Sequence, residues 1–514
     1  MTPPTVDHPT AARGWAILGL VIAGTALVVI DMTIVTVALP AIQADLGETL
    51  AGIQWVIIGY MITMGAMTQV TGSLSDRIGR RRMYLLGIAL FTAASIVCGA
   101  APTSTVLDLA RAVQGIGGAI LMVNALPLLS EHLDGERRNM AISTWGSAAT
   151  AASLIAPLLG GTLVDTLGWR AIFLINVPIG VAAFVICLRT LPADASHQAR
   201  HGRIDWTGTA LLIASLALAN LALLRGEDQG WGSAATLTQL TIAAALLTAF
   251  LLLQSRVGAP TLDIALFRKP AFTGAALAVF ISRVLTVGGT VYFVQYFQGS
   301  LHLNPTQSGL LLTPVFLAQM AAGMLGGKLL SRFAPGYVIA GGYTCKAVGA
   351  TALALAFTPT ISPWFLAVPL LVWGIGGGIA GAPVMAVAMN VTDKQRAGMV
   401  AGTITSLASI GAGIGTAVLG AIYTTRIAGI VAAGPPLPAA SREAVLAADG
   451  DIQRVLDLTP AAARATVEDL LSNAIASGAS AVLFSSAGLA VITIALVLTL
   501  ISRRNLPQPA ASTQ

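Results

Sequence analysis

What most constrains this chain is a succession of fourteen mainly apolar runs, each near the roughly 20 residues a helix needs to cross a bilayer. They cover residues 15–39, 53–73, 83–101, 105–128, 141–164, 170–190, 207–224, 235–255, 271–297, 307–330, 336–357, 363–390, 400–423 and 477–501. Backbone groups in hydrocarbon find no water, so each run is expected to bond internally as a helix. Only 10% of the 514 residues are charged, against about 25% in soluble domains. That excludes a soluble enzyme, a disordered chain and a nucleic-acid binder, despite a net charge of +6. The expectation is an all-α integral membrane protein.

The placement of the basic residues tests the span count. With the N-terminus cytoplasmic, the inner segments hold 19 Lys and Arg and the outer segments six, four of those in the long loop 424–476. This asymmetry is the positive-inside pattern. It predicts a multi-pass protein of the cell membrane with both termini, 1–14 and 502–514, in the cytoplasm. The first run is too long for the core of a cleaved signal peptide and reads as a retained span. Loop 424–476 reads as a linker with helical stretches near 441–448 and 460–474, Pro460 standing at a helix start. The three cysteines lie in apolar runs and read as small packing residues.

A repeat divides the chain. Gln114-Gly115-Ile116-Gly117-Gly118 in span 4 recurs 259 residues later as Trp373-Gly374-Ile375-Gly376-Gly377 in span 12. Gly72-Ser73-Leu74-Ser75-Asp76-Arg77 after span 2 is echoed by Gly326-Gly327-Lys328-Leu329-Leu330-Ser331-Arg332 after span 10. Residues 15–190 and 271–501 therefore read as two six-helix halves, with an inserted pair of helices at 207–255. Duplicated halves are the mark of a secondary transporter whose site lies between them near the midplane.

Few charges lie within spans. Asp31 is the one acid deep in any of them, and a carboxylate there is costly and usually functional. It is a candidate proton carrier; a structural acid paired with a base is the alternative. Asp31 lies about 12 Å from the end of span 1 and Arg111 about 9 Å from the same surface on span 4. The two share a depth and are expected to interact, unless Arg111 snorkels to the interface. Arg283 sits mid-span in helix 9, where arginine does not face lipid. Pairing with Asp31, contact with an anionic cargo group and bonding to carbonyls all stay open. Lys346 in span 11 reads as snorkelling. Met64, Gln114, Trp145, Tyr292, Tyr296 and Trp373 are candidates for an apolar cargo cavity, against the plainer reading of packing.

The loop Gly72 to Arg82, with Gly72, Asp76, Arg77, Gly79 and Arg80 in place, matches the G-x-L-x-D-R-x-G-R-R pattern of the major facilitator superfamily. Asp31 to Pro40 resembles the first-helix motif of its fourteen-span drug:proton antiporter branch, with Thr36 where asparagine is usual. Arg111-Ala112-Val113-Gln114-Gly115 resembles the family's R-x-x-Q-G proton-coupling motif. Ala156-Pro157-Leu158-Leu159-Gly160-Gly161 is similar to the antiporter motif G-P-x-x-G-G, with alanine at its first position. Trp169-Arg170 and Phe173 to Gly180 also look typical.

The resemblance implies a major facilitator fold with proton coupling through Asp31 and Arg111. It also implies that spans 1 and 4 line a central cavity, with a cytoplasmic gate at the Asp76 loop and an antiporter helix around Pro157, Gly160 and Gly161. The implied activity is export of amphipathic drugs or natural products in exchange for protons. Partners would be a small amphipathic molecule, protons and membrane lipids, with no nucleic acid and a monomeric chain. The sequence offers no nucleotide cradle, His/Cys metal cluster or nucleophile elbow, so neither cofactor nor enzymatic activity is expected. Two rivals remain: a dedicated exporter of one endogenous lipid or anionic metabolite, and a receptor on the same scaffold that moves nothing.

Overall fold

The computed structural model describes residues 11–133, 135–191, 205–257, 264–330, 332–390, 397–434, 455, 459–460 and 463–502. Fourteen helices among them are long and apolar enough to cross a membrane. In chain order spans 1 to 6 are Ala11–Leu46, Trp55–Ile78, Arg80–Gly99, Ser104–His132, Gly135–Leu167 and Asn176–Thr190. Spans 7 and 8 are Trp206–Gln229 and Ala234–Gln254. Spans 9 to 14 are Pro270–Gly299, Pro305–Leu329, Pro335–Ala356, Ala367–Asn390, Ala397–Ala433 and Arg464–Leu500. Span 13 runs past residue 424 and span 14 begins at Arg464, so the expected loop 424–476 is mostly helix at both ends. Pro460 is not the start of that last helix, and the stretch 441–448 lies outside the described residues.

Local sequence explains where helices begin. Thr103 accepts a hydrogen bond from the Val106 N–H before span 4. Asn304 and Gln307 form a reciprocal capping box before span 10, with Pro305 at its first turn. The face of the bundle bearing the Gly79 turn is here the near face, and its opposite the far face. Gly79 joins spans 2 and 3 at φ 105 and ψ 142, a region reserved for glycine. Its flanks are tied down: Arg80 reaches the Pro127 carbonyl and Glu131 of span 4, and Arg81 the Leu188 carbonyl of span 6. Gly79→Ala is expected to cost about 1–3 kcal/mol of strain, read as a lower Tm of the purified protein.

The two halves repeat in contacts as well as in sequence. Tyr84 Oη donates to the Leu20 carbonyl, and Tyr343 Oη to the Ala278 carbonyl, at offsets of 259 and 258. The recurring glycines have one purpose. Gly115 lies against the Tyr60 carbonyl and Gly117 against the Phe91 backbone, which seats span 4 between spans 2 and 3. Gly374 lies against the Val315 carbonyl and Gly376 against the Gly342 carbonyl, which seats span 12 between spans 10 and 11. A Cβ at any of them would push helices apart. Spans 7 and 8 pack through Leu212, Leu216 and Phe250 beside Ile58, Ile62 and Ala417, covering the line where spans 2 and 13 meet.

The halves are closed at the far face. Gly161 of span 5 meets the Pro305 carbonyl of span 10, and Gly309 of span 10 meets the Pro157 carbonyl of span 5. Asp165 accepts from the Thr306 N–H at 2.9 Å, and Gln298 Nε2 donates to the Val37 carbonyl at 3.0 Å. Gln54 Nε2 donates to Tyr292 Oη at 3.0 Å, and that hydroxyl donates on to the Thr416 carbonyl at 2.8 Å. Toward the near face the two central helices are bare on one stripe. Span 1 leaves Gly19, Ile22, Ala26, Val29 and Thr33 partly or fully exposed, then buries every residue of 34–39. Span 9 leaves Thr273, Leu277, Phe280, Arg283 and Val287 so, then buries every residue of 288–297. The bundle is sealed at one face and parted at the other.

Candidate functional site

The charged residues deepest in the spans, Asp31, Arg111, Arg283 and Lys346, fall into two clusters, one per half. In the first half Asp31 is 0% exposed and Arg111 1%. Arg111 Nη1 lies 2.5 Å from Asp31 Oδ2 and also donates to Gln114 Oε1 at 2.6 Å, while its Nε donates to the Val56 carbonyl at 2.9 Å. The other carboxylate oxygen, Oδ1, accepts from Gln114 Nε2 at 3.0 Å and Asn176 Nδ2 at 3.2 Å. Ser95 Oγ accepts from the same two amides. The Tyr60 ring lies 4.3 Å from the guanidinium carbon, a desolvated cation–π contact. Spans 1, 2, 3, 4 and 6 thus converge on one carboxylate, and both of its oxygens are occupied.

This pair forms at the common depth that counting residues along two antiparallel helices predicts, and Arg111 does not snorkel. Its setting differs from the expectation. Asp31 turns away from the exposed stripe of span 1 into the interior of its own half, so it does not line the cleft in this conformation. Nor does it meet Arg283: its partners Arg111, Gln114 and Asn176 all belong to its own half. Sequence reasoning left out Ser95, Tyr60 and the role of Asn176. Asn176 stands inside a quoted motif, Phe173 to Gly180, but nothing in the sequence says which side of span 6 faces span 1.

The second half holds the other cluster. Span 9 breaks its α-helical bonding at a π-turn, Val284–Gly288, directly after Arg283, a distortion frequent at functional sites. Arg283 itself is exposed although it lies about 20 Å into the helix. A guanidinium at that depth does not face lipid, so the bare stripe of span 9 faces a watered cleft. Lys346 does not snorkel. It is 1% exposed, and its ammonium donates to Ser282 Oγ at 3.1 Å and Thr286 Oγ1 at 2.9 Å, both on span 9. The Trp373 ring lies 5.5 Å from the same nitrogen.

Most of the aromatic candidates are not cleft walls in this state. Met64, Tyr292, Tyr296 and Trp373 are at most 3% exposed and packed. Tyr296 stacks on Phe357 at 3.9 Å, and Tyr292 works in the far-face seam. Gln114 is buried on Asp31. Trp145 alone stays half-buried, its Nε1 donating to Thr25 Oγ1 at 2.7 Å. Gly160 seats Ile34 of span 1, while Pro157 and Gly161 face span 10 across the seam. Of the near-face loop, Gly72 lies beside Val123 and Arg77 is half-buried; the Asp76 side chain lies outside the described residues.

The model of the Major Facilitator Superfamily matches residues 21–416, which run from span 1 into span 13. The chain belongs to the major facilitator superfamily. It is a multi-pass membrane transporter, not an enzyme. The drug efflux pump JefA of Mycobacterium tuberculosis is 33% identical over 402 residues, 78% of either chain. The multidrug resistance protein Stp of the same species is 33% identical over 400 residues, 78% of this chain and 74% of Stp. The tetracenomycin C resistance and export protein of Streptomyces glaucescens is 31% identical over 437 residues, 83% of this chain and 79% of that one. In fold, the chain matches the crystal structure of a bacterial homologue of the human lysosomal transporter Spinster in an inward-facing and occupied conformation. The TM-score is 0.70 over 98% of this chain and all of that one, at 16% identity. These relatives are named for drug efflux, multidrug resistance and antibiotic export.

Proposed function

We propose that the chain is a proton-coupled antiporter that exports amphipathic drugs or natural products across the cell membrane by alternating access. The near face is then cytoplasmic, a reading the excess of Lys and Arg on that side supports, and both termini lie there. Spans 1–6 would rock against spans 9–14, with spans 7 and 8 riding on the joint between spans 2 and 13. The Gly72, Asp76, Arg77, Gly79 and Arg80 loop would gate the cytoplasmic mouth. The protein would act as a monomer on small cargo, protons and lipid.

The observation that carries the proton assignment is the buried pair Asp31–Arg111, whose carboxylate accepts three hydrogen bonds, all from spans of one half. A proton arriving on Asp31 removes the charge that Arg111 is bound to, and the pair loses its reason to hold five helices in this arrangement. Protonation then biases one packing of the half over another, which is how a small charge event becomes a rigid-body change. Asp108 supports a route from the far face. It lies one helical turn before Arg111, and its Oδ1 has no hydrogen-bond partner.

Purified protein in liposomes under an imposed pH gradient tests the reading. Accumulation of ethidium that scales with the gradient and collapses with a protonophore is the expected result. Flux indifferent to the gradient overturns it.

A further inference from the structure

The two clusters differ in one respect that the proposed reading leaves unused. The first half balances its cation with an acid; the second does not. Lys346 and Arg283 bear on the same turn of span 9, since the Lys346 ammonium binds the hydroxyls of Ser282 and Thr286 on either side of Arg283. The two cations therefore lie near one another. Among the described residues no carboxylate pairs with either, and no hydrogen bond holds the Arg283 guanidinium. The Lys346 charge is buried and costly without a counter-ion, and Arg283 adds a second cation beside it that is open to the cleft. Such an arrangement is sustained most simply when an anion completes it.

The surroundings say what kind of anion. Arg283 stands near the inner end of the bare stripe of span 9, directly before the π-turn, with only Val287 of the stripe between it and the sealed segment 288–297. It is therefore the deepest charged group a molecule entering from the near face would meet on that helix. Below it the stripe is Thr273, Leu277 and Phe280, apolar but for one hydroxyl. Pseudo-symmetry, set by Tyr84 and Tyr343, places Thr25 of span 1 at the position equivalent to Arg283, and Thr25 carries the Trp145 indole. The cleft thus offers a cation at its apex with apolar and aromatic surface leading to it.

We infer that Arg283, with Lys346 behind it, forms an anion subsite, and that the preferred cargo is an amphipath bearing a carboxylate or similar acidic group. This rests on the export reading above. Arg283 makes the contact through its free fork of N–H donors. Lys346 is a positioning residue: buried on Ser282 and Thr286, it fixes this turn of span 9 and adds its field to the site.

The test uses a matched pair of fluorescent probes, dansylglycine and dansylglycine amide, which share a body and differ in the acid. Binding is measured on the purified full-length protein in nanodiscs by the rise in dansyl emission. The expected result is a preference of tenfold or more for the carboxylate. Arg283→Gln should reduce that ratio to near unity, Arg283→Lys should restore part of it, and Lys346→Gln should reduce it severalfold. Amide affinity and a single gel-filtration peak establish that each variant is folded, and Arg283 is exposed enough for its variants to fold if Lys346→Gln does not. A wild-type ratio near one, or a ratio unmoved by Arg283→Gln, overturns the inference. Ethidium flux under the pH gradient is read separately. Coupled flux without acid preference removes only this subsite, whereas acid preference without coupled flux removes only proton antiport.

Discussion

Asp31→Asn is expected to abolish gradient-driven accumulation of ethidium in proteoliposomes while leaving a folded protein that still moves it down its own gradient. The amide keeps a carbonyl oxygen to accept from Gln114 Nε2 and Asn176 Nδ2, but it carries no charge and can take no proton. Arg111 keeps its bond to the Val56 carbonyl at 2.9 Å and the Tyr60 face. It loses its ion pair while 1% exposed, a loss of about 3–5 kcal/mol for a broken buried pair. The variant should therefore also melt earlier than wild type. Asp31→Glu separates the two effects. It restores the charge and the proton, and some coupling should return even if a longer side chain fits the five-helix site poorly. Proton release on ethidium binding, followed with a pH dye in weakly buffered detergent solution, should vanish in Asp31→Asn. Retention of both release and gradient-driven accumulation would move the proton site elsewhere, with Asp108 the next group to replace.

How far the sequence reaches is set by which quantities depend on one dimension. Span number, direction and depth follow from counting along the chain, so the meeting of Asp31 with Arg111 could be foreseen from a rise of 1.5 Å per residue. The repeat was legible for the same reason, because Gly115 and Gly374 meet backbone carbonyls that no side chain can approach. Rotation about the helix axis is different, since it is fixed by neighbours distant in sequence. Nothing in Asp31 to Pro40 says that the carboxylate turns into its own half while Thr33 turns to the cleft. Tyr292, Tyr296 and Trp373 are packed in this conformation on the same count: an apolar ring is equally suited to a cavity wall and to a core, and Tyr296 found Phe357. Lys346 was misread because a long side chain was free to snorkel in principle, whereas Ser282 and Thr286 on another helix hold it inside.

The far-face seam leads to the second large effect. Spans 5 and 10 cross there backbone to backbone twice, Gly161 against the Pro305 carbonyl and Gly309 against the Pro157 carbonyl. A side chain at Gly161 has no flexible neighbour to displace, because what it meets is main chain. Gly161→Val must therefore part the two halves at the far face, while the near face, already parted, feels nothing. Overpacking of this kind costs about 1–3 kcal/mol, and if that cost falls on one of two states it shifts their ratio about 5- to 150-fold. Spin labels at Thr166 and Gln307, both exposed beside the seam, should report a longer distance in pulsed electron resonance. Cargo export should fall in parallel, since a transporter that cannot close outward cannot reload inward. Gly160→Ala is the control. Gly160 is the neighbouring residue of the same motif, but it packs on Ile34 of its own half, so the distance between halves should not change. If Gly161→Val leaves both the distance distribution and export at wild-type values, the seam is not a gate, and the antiporter helix would owe its glycines to packing alone.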